Sequence, residues 1–373
     1  MKKIVFILIA IIMCTHVSAQ EERIPSKGYA LFDKNSNFQP HEFTRHALGE
    51  HDILIRTYYC GICHSDIHQV HSDWKEEKYP IIPGHEIVGE VVQVGKSVTK
   101  FRVGDIAGVG CMVNSCRHCE YCEDDKEQFC LNGRVLTYAD KDVYHGDEMT
   151  QGGYSTNMVV DEAFALCVPK DAPLEKVGPL MCAGITTWSP IMQCGIKAGD
   201  KVGVAGFGGL GHMAVQYLVN LGAKVTVFDI TDDKRADALR LGAKKYINVN
   251  HEEELKETNN TLQFILSTIP ANYNPMIYVN ILKVGGTLAV VGMPAASETP
   301  SIRVTSLRGR YLTTSLIGGI KETQEMLDYS LAHKIFPEVA IIPADASAID
   351  KAYQDVVSGN VKFRYVTDLK TIK

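Results

Sequence analysis

The stretch KVGVAGFGGLGHMAVQYLVNLGAKVTVFDI, residues 201–230, changes its hydrophobic period twice. Lys201 to Ala205 is a short apolar run, the pattern of a buried strand. Beyond a glycine turn, Leu210, Met213, Ala214, Tyr217, Leu218 and Leu221 recur at i, i+3, i+4, i+7, i+8 and i+11, which is the stripe of one helix face. Lys224 to Ile230 then returns as a second apolar strand. Downstream the alternation continues through helical DDKRADALRLGA, apolar KYINV and QFILST, an amphipathic piece from Pro275 to Leu282, and apolar GTLAVVG. Strand and helix in alternation predict a doubly wound parallel sheet with five or six strands. Upstream, from residue 20 to about 178, the chain is richer in Val and Gly and in short alternating runs such as IVGEVVQVG, which predicts an antiparallel, barrel-like domain.

With 373 residues, 45% of them hydrophobic and 22% charged, the chain can bury a large core and is long enough for two domains. A net charge of -6 and the lack of any long basic tract argue against nucleic acid as a partner. The first nineteen residues stand apart from the fold. Lys2 and Lys3 precede an apolar run from Ile4 to Cys14, and Val17-Ser18-Ala19 is a small-residue cleavage pattern, so the segment reads as a secretory signal peptide cleaved after Ala19. The apolar run is too short to span a bilayer core of about 30 Å as a helix. The expectation is export, periplasmic in a bacterium, with no membrane attachment after cleavage. A misread leader would leave the protein cytoplasmic.

Export sharpens the question raised by CRHCEYCEDDKEQFC, in which Cys116, Cys119, Cys122 and Cys130 follow the pattern C-x2-C-x2-C-x7-C. An oxidising compartment favours disulfides, but those mostly staple domains short of core, and repeated C-x2-C spacing suits one tetrahedral ion. The four thiolates therefore predict a closed, structural zinc site, with free or oxidised thiols as the other reading. A nucleic-acid ribbon would fit the ligands too, but Glu120, Glu123, Asp124, Asp125 and Glu127 surround them with negative charge that phosphate would avoid.

The turn Gly206-x-Gly208-x-x-Gly211, set between a strand and a helix, predicts dinucleotide binding: the backbone approaches the pyrophosphate and the helix N-terminus stabilises its charge. Gly209 and Leu210 belong to the same turn. Asp229, at the end of the next strand, can accept from the adenosine ribose hydroxyls and would repel a 2'-phosphate, which favours NAD. Thr231, Lys234 and Arg235 follow closely and could offset that repulsion, so the cofactor is NAD(P) with the balance toward NAD.

Three further segments carry ligand-type residues: CGICHSDIHQVHSDW, PGHEIVGEVVQVGKSV and LMCAGITTW. The pattern Gly84-His85-Glu86-x2-Gly89-x5-Gly95-x2-Val98 resembles the zinc signature of the medium-chain alcohol dehydrogenases, and the surrounding motifs are similar to the cinnamyl alcohol dehydrogenase and bacterial aldehyde reductase branch. That resemblance implies a GroES-like antiparallel β-barrel catalytic domain over residues 20–178, completed by 313–373, and a Rossmann coenzyme domain over 179–312. It implies a catalytic zinc held by Cys63, His85 and Cys182, with Glu86 as an occasional ligand, and hence two zinc ions per chain. It implies Ser65 beside the substrate oxygen, His68 and Asp73 as a proton relay, and Thr186, Val291 and Met293 around the nicotinamide. Leu136, where plant relatives carry Trp, and Leu316 and Ile317 match pocket positions. The activity implied is zinc-dependent hydride transfer between NAD(P) and primary alcohols or aldehydes of broad range, aromatic ones included, in a homodimer. The relatives usually carry Ser or Thr at the position of Asp229 and use NADP. A polyol or amino-alcohol dehydrogenase of the same superfamily, or an exported zinc-binding protein without turnover, are the other readings. Cys60, Cys111, Cys167 and Cys194 are expected as core packing, and His41, His46, His51, His71, His145, His251 and His333 as solvated surface groups.

Overall fold

The computed structural model describes residues 22–298 and 304–372, so the leader read in residues 1–19 lies outside the described residues. Among them, no helix is long and apolar enough to cross a membrane. The second half of the chain builds a six-stranded parallel sheet in the spatial order Lys245–Asn248, Lys224–Asp229, Lys201–Ala205, Leu262–Ser267, Leu282–Val290 and Tyr311–Thr314. Val202, Val204, Val225 and Val227 are fully buried, as strands covered on both faces require. The helix Gly211–Asn220 lays its predicted stripe on the sheet: Met213, Ala214, Tyr217 and Leu218 are all inaccessible to solvent. Burying side chains the size of Met213 and Leu218 contributes roughly 1.5–3 kcal/mol each. Strand Lys201–Ala205 lies between its successor and Leu262–Ser267, so the order reverses there and opens a crevice at the carboxyl ends of the strands.

The first half forms a mostly antiparallel sheet in the order Ala165–Val168, Ile106–Val109, Ile87–Val94, Asp52–Ile62, Arg364–Asp368 and Val339–Pro343, with Asn157–Asp161 also paired to Asp52–Ile62. The carboxyl-terminal strand Arg364–Asp368 closes against the end of Asp52–Ile62, Tyr365 opposite Ile62, so the tail completes the first lobe. The return occurs later than expected. Tyr311–Thr314 hydrogen-bonds to Leu282–Val290 in the parallel sheet, and helix Ile320–His333 buries Met326 and Leu327 in the same core as Tyr217 and Trp188. Tyr217 also shares a hydrogen bond of 2.8 Å with Ser330. The boundary expected at residue 312 therefore falls inside a strand, and the chain leaves the coenzyme lobe only after His333.

One buried cation fixes the loop that supports the interlobe crevice. Arg45 donates to the carbonyl of Gln151 at 2.7 Å, that of Gly152 at 3.0 Å, that of Asn157 at 3.0 Å and the Ser155 hydroxyl at 2.8 Å. The same loop pairs with the segment ahead of His85, through Gly152 N–H to Ile82 O at 2.7 Å, Tyr154 N–H to Pro83 O at 3.0 Å and Gly153 N–H to Gly84 O at 2.9 Å. Burial lowers the Arg45 pKa to about 9, which still leaves it charged at neutral pH. Arg45→Met keeps the apolar stem and orphans buried carbonyls, so it is expected to lower stability by about 3 kcal/mol in urea denaturation. An unchanged midpoint would contradict this role.

Candidate active site

Three separate elements deliver the expected ligands. Cys63 ends the strand Asp52–Ile62 as N-cap of the short helix His64–Val70, His85 and Glu86 immediately precede the strand Ile87–Val94, and Cys182 is the N-cap of helix Ala183–Gln193 at the junction of the lobes. One ligand atom from each of Cys63, His85, Glu86 and Cys182 lies within 4.8 Å of all the others, and all four residues are buried. The Cys63 and Cys182 sulfurs are 3.8 Å apart, and His85 Nε2 is 3.2 Å from the Cys182 sulfur. Gly84 has φ +105°, and a Cβ there would sit 2.7 Å from both the Cys60 sulfur and the Tyr154 ring, so the residue before His85 must be glycine.

The group that orients this cluster is Asp66. Its carboxylate accepts from His85 Nδ1 at 2.9 Å, from Cys63 N–H at 2.9 Å, from Gly84 N–H at 3.2 Å and from the Tyr154 hydroxyl at 3.3 Å. With Nδ1–H committed to Asp66, His85 turns its Nε2 lone pair toward the thiols. The donor set fits zinc by its chemistry: two sulfurs and an imidazole in reach of one point. The thiols and the Glu86 carboxyl press on one another's protonation. The Cys182 hydrogen bond draws the Cys63 thiol well below its usual pKa, while Cys111 and Cys63 push Cys182 well above its own. Burial pushes Glu86 up to about 8, and among the described residues neither of its oxygens has a hydrogen-bond partner. Arg364 Nη2 stands 3.4 Å from Glu86, its Nη1 donating to Ile62 O at 3.1 Å.

The second cysteine set also converges. Ligand atoms of Cys116, Cys119, Cys122 and Cys130 lie within 4.8 Å of one another, and every cysteine among the described residues is a free thiol, so the cluster is not a pair of disulfides. The Cys119 and Cys122 sulfurs are 3.5 Å apart, and N–H groups of Cys116 and Leu131 point at Cys130 and Cys119 at 3.4 and 3.5 Å. The acidic residues of this lobe have a docking role. Glu127 accepts from Ile320 N–H at 3.1 Å, at the N-terminus of helix Ile320–His333, and Asp125 pairs with Lys321 at 2.8 Å.

Above Cys63, His85 and Cys182 opens a cleft between the lobes with a volume of about 390 Å³. Ser65 and His68 line it from the catalytic lobe; Thr186, Leu210, Val291 and Met293 line it from the coenzyme side. His68 Nδ1 donates to Asp73 at 2.7 Å, and its buried Nε2 has no partner among the described residues. No hydrogen bond joins Ser65 to His68 among the described residues. Leu136, Leu316 and Ile317 complete a largely apolar wall. At the glycine turn, Gly206 adopts φ +84° and a Cβ on Gly211 would strike Gly206 O at 2.0 Å; a Cβ on Gly208 would meet open space, whereas one on Gly209 would meet Phe363 O at 3.0 Å. Asp229 lies beside the turn, accepting from Phe207 N–H at 2.8 Å and Ile230 N–H at 2.7 Å. Lys234 occupies the N-cap position of the helix Arg235–Arg240 without a side-chain capping bond, and Arg235 pairs with Asp232 at 2.6 Å.

Four residues escaped the sequence reading. Asp66 was detectable only as an acid at the third position of a short helix, a capping pattern that says nothing of the imidazole it holds. Trp74 lines the cleft and donates its indole N–H to Pro294 O at 3.0 Å, while Asp73 O accepts from Ala296 N–H at 3.0 Å, so this loop bridges the lobes. Arg364 comes from the far end of the chain. Cys111, expected as core packing, is in the cleft wall against Cys182, which corrects that expectation. Asp66→Ala is expected to weaken metal retention by about 10- to 100-fold in competition with a chelator. Equal retention by the variant and the parent would remove Asp66 from the site.

Comparison with known proteins agrees with this geometry. The alcohol dehydrogenase GroES-like domain matches residues 49–170, and the zinc-binding dehydrogenase domain matches residues 209–332. The chain is 43% identical over 353 residues to mannitol dehydrogenase from Apium graveolens, covering 94% of this chain and 95% of that one. It is 42% identical over 352 residues to cinnamyl alcohol dehydrogenase 2 from Rauvolfia serpentina, covering 94% and 96%. The crystal structure of CAD from Helicobacter pylori complexed with NADP(H) superposes with a TM-score of 0.90 at 50% identity, covering 94% of this chain and 99% of that one.

Proposed function

Because the chain belongs to the zinc-binding alcohol dehydrogenase family, we propose that it transfers hydride between NAD(P) and a broad range of primary alcohols and aldehydes, aromatic ones included. The observation that carries this reading is one cleft shared by Cys63, His85 and Cys182 on its floor and by Thr186, Val291 and Met293 on its coenzyme side. When bound, zinc supplies Lewis acidity toward the substrate oxygen and the nicotinamide supplies or takes the hydride. Cys116, Cys119, Cys122 and Cys130 would hold a second, structural zinc.

The chain's own residues supply position and proton. Asp66 keeps His85 in the tautomer that presents Nε2. His68 donates from Nδ1 to Asp73, whose side chain is 36% exposed, so the pair runs from the cleft toward solvent. Its Nε2, without a partner among the described residues, can take or return a proton on the cleft side. Ser65 lines the same cavity with no hydrogen bond to His68 among the described residues, so a bound molecule would complete the connection between them.

Trp74, Leu136, Met293, Leu316 and Ile317 make a wall suited to a flat or linear apolar substrate. The same cleft carries Gln69, Lys75, Arg134, Thr137 and Ser315, polar groups able to pair with hydroxyls, so a polyol, the substrate in the name of the Apium graveolens relative, stands as the alternative. Asp229, held by two backbone N–H groups beside the glycine turn, supports NAD over NADP. The leader pattern of residues 1–19 supports export, and the resemblance to the family supports a homodimer.

Purified mature protein, beginning at Gln20, is expected to contain two zinc ions per chain and to reduce benzyl-type and linear aldehydes with NADH in preference to NADPH. A preference for NADPH beyond about tenfold, about 1.4 kcal/mol, overturns the reading of Asp229, and oxidation of mannitol without aldehyde reduction overturns the substrate class. His68→Ala is expected to lower kcat by about 100-fold with KM little changed. A variant with full kcat would show that the proton leaves by another route.

A further inference from the structure

Lys75 and Arg134 both line the interlobe cleft, and among the described residues no aspartate or glutamate does. Two cations on an otherwise apolar cavity of about 390 Å³ form an electrostatic bias that a neutral aldehyde does not use.

Strand register places Arg134 along the cleft. The short strand Val135–Leu136 pairs antiparallel with Met112–Asn114, Leu136 opposite Met112, and Thr137 N–H donates to Cys111 O at 3.2 Å. Thr137 is therefore level with Cys111, the thiol that stands against Cys182, and the chain runs back from there to Arg134. Three residues of extended chain span up to about 10 Å, so Arg134 belongs to the end of the cleft remote from the thiols. Leu136 and Arg134, two residues apart, both line the cavity while Val135 between them is buried. Passing from Cys111 toward Arg134, the wall thus presents an apolar side chain and then a charge.

Hydrogen bonding shows which cation is available. Arg134 Nη1 donates to Gln128 O at 3.2 Å, its Nε is buried without a partner, and no carboxylate among the described residues pairs with its guanidinium. An acceptor arriving in the cleft would recover that unmet capacity. Lys75, in contrast, stands 3.6 Å from Glu77, whose side chain is 3% exposed and also accepts from Gln69. Glu77 balances Lys75 from within the wall and leaves Arg134 unmatched.

Resting on the aldehyde reading above, we infer that the preferred substrates carry a carboxylate at the end remote from the carbonyl, and that Arg134 is the residue that selects them. Paired N–H groups of a guanidinium match the two oxygens of a carboxylate, whereas the hydroxyls of a polyol are served as well by neutral side chains. The stretch joining carbonyl to carboxylate is apolar, because Leu136 stands between Cys111 and Arg134. The carboxylate takes no part in the chemistry: the carbonyl carbon gains hydride from the reduced nicotinamide, the carbonyl oxygen gains a proton, and a hydroxy acid leaves with its carboxylate unchanged. Aromatic formyl acids and dicarboxylic semialdehydes have this form.

The test uses the zinc-loaded mature enzyme with 4-carboxybenzaldehyde and its uncharged methyl ester. In the parent, kcat/KM is expected to be about tenfold higher for the acid than for the ester, a margin that narrows with added salt. Arg134→Gln is expected to bring the two within about twofold, and Arg134→Lys to keep part of the preference. If Arg134 served only to tether the cysteine loop through Gln128, the loss would fall on acid and ester alike, and their ratio would not move. Binding gives the same comparison without turnover: 4-(hydroxymethyl)benzoate is expected to raise Tm more than benzyl alcohol does in the parent, and equally in Arg134→Gln. Equal kcat/KM for acid and ester in the parent, or a ratio that Arg134→Gln leaves unchanged, overturns the inference. Reduction of neither aldehyde, with 4-(hydroxymethyl)benzoate still held through Arg134, overturns the aldehyde reading alone.

Discussion

A single buried carboxylate holds the cleft floor together. Asp66 receives the imidazole N–H of His85, the backbone N–H groups of Cys63 and Gly84 and the Tyr154 hydroxyl, so four groups from three segments share one acceptor. A carboxylate with two oxygens can satisfy all of them, and the Tyr154 hydroxyl in turn accepts from that of Tyr353 at 3.4 Å. The strand end carrying Cys63 and the turn carrying His85 are therefore positioned by the same group. Arg45 acts one layer further out, fastening the loop that pairs with residues 82–84.

The lobes meet where this assembly needs its remaining sulfur. Cys182 sits at the N-cap of helix Ala183–Gln193, whose other face packs on Tyr217 and Met326 of the coenzyme lobe. Placement of the second thiol thus depends on the packing of the parallel sheet, and the cluster of Cys63, His85 and Cys182 cannot form in the first lobe alone. Contacts at the cleft mouth, Trp74 to Pro294 and Ala296 to Asp73, and at its base, Asp125 and Glu127 to helix Ile320–His333, hold the two lobes in that relation. Beneath these polar contacts Val88, Ile106, Leu166 and Val168 of the first lobe share one buried apolar core with Val202, Met213 and Met326, which restrains relative motion of the lobes.

What could be read from the chain divides along the same line. The glycine turn, the helix stripe from Leu210 to Leu221 and the C-x2-C-x2-C-x7-C set are local patterns, written within about one element, and they appear in the structure where the periods put them. Cys63, His85 and Cys182 have no local signal for meeting, and only the likeness to a known family brought them together. Asp66, Cys111, Arg364 and the His46–His145 stack depend on strand pairing and loop closure, which residue spacing does not encode. The misplaced boundary at residue 312 has the same origin: Tyr311–Thr314 is exposed and weakly apolar, and it declares itself a sheet strand only through its partner Leu282–Val290.

Charge balance explains why so many ionisable groups tolerate burial in one place. Thiolates at Cys63 and Cys182 and a carboxylate at Glu86 would bring three negative charges together; a dication and the Arg364 guanidinium would cancel them, leaving Asp66 to be offset by the groups that hydrogen-bond to it. An ion pair in low dielectric survives only when its partners are complete, because removing one leaves an uncompensated charge worth several kcal/mol. The mutual pressure of these groups shows in the direction of their pKa values: burial pushes Glu86 up to about 8, and the Cys111 and Cys63 thiols push Cys182 upward. Arg364 remains, its pKa raised by Glu86 and the thiols once their attraction outweighs burial. The tail, by pairing with the strand that leads into Cys63, thus brings a fixed positive charge to within 3.4 Å of the Glu86 carboxylate and is part of what makes this cluster of buried charges tolerable.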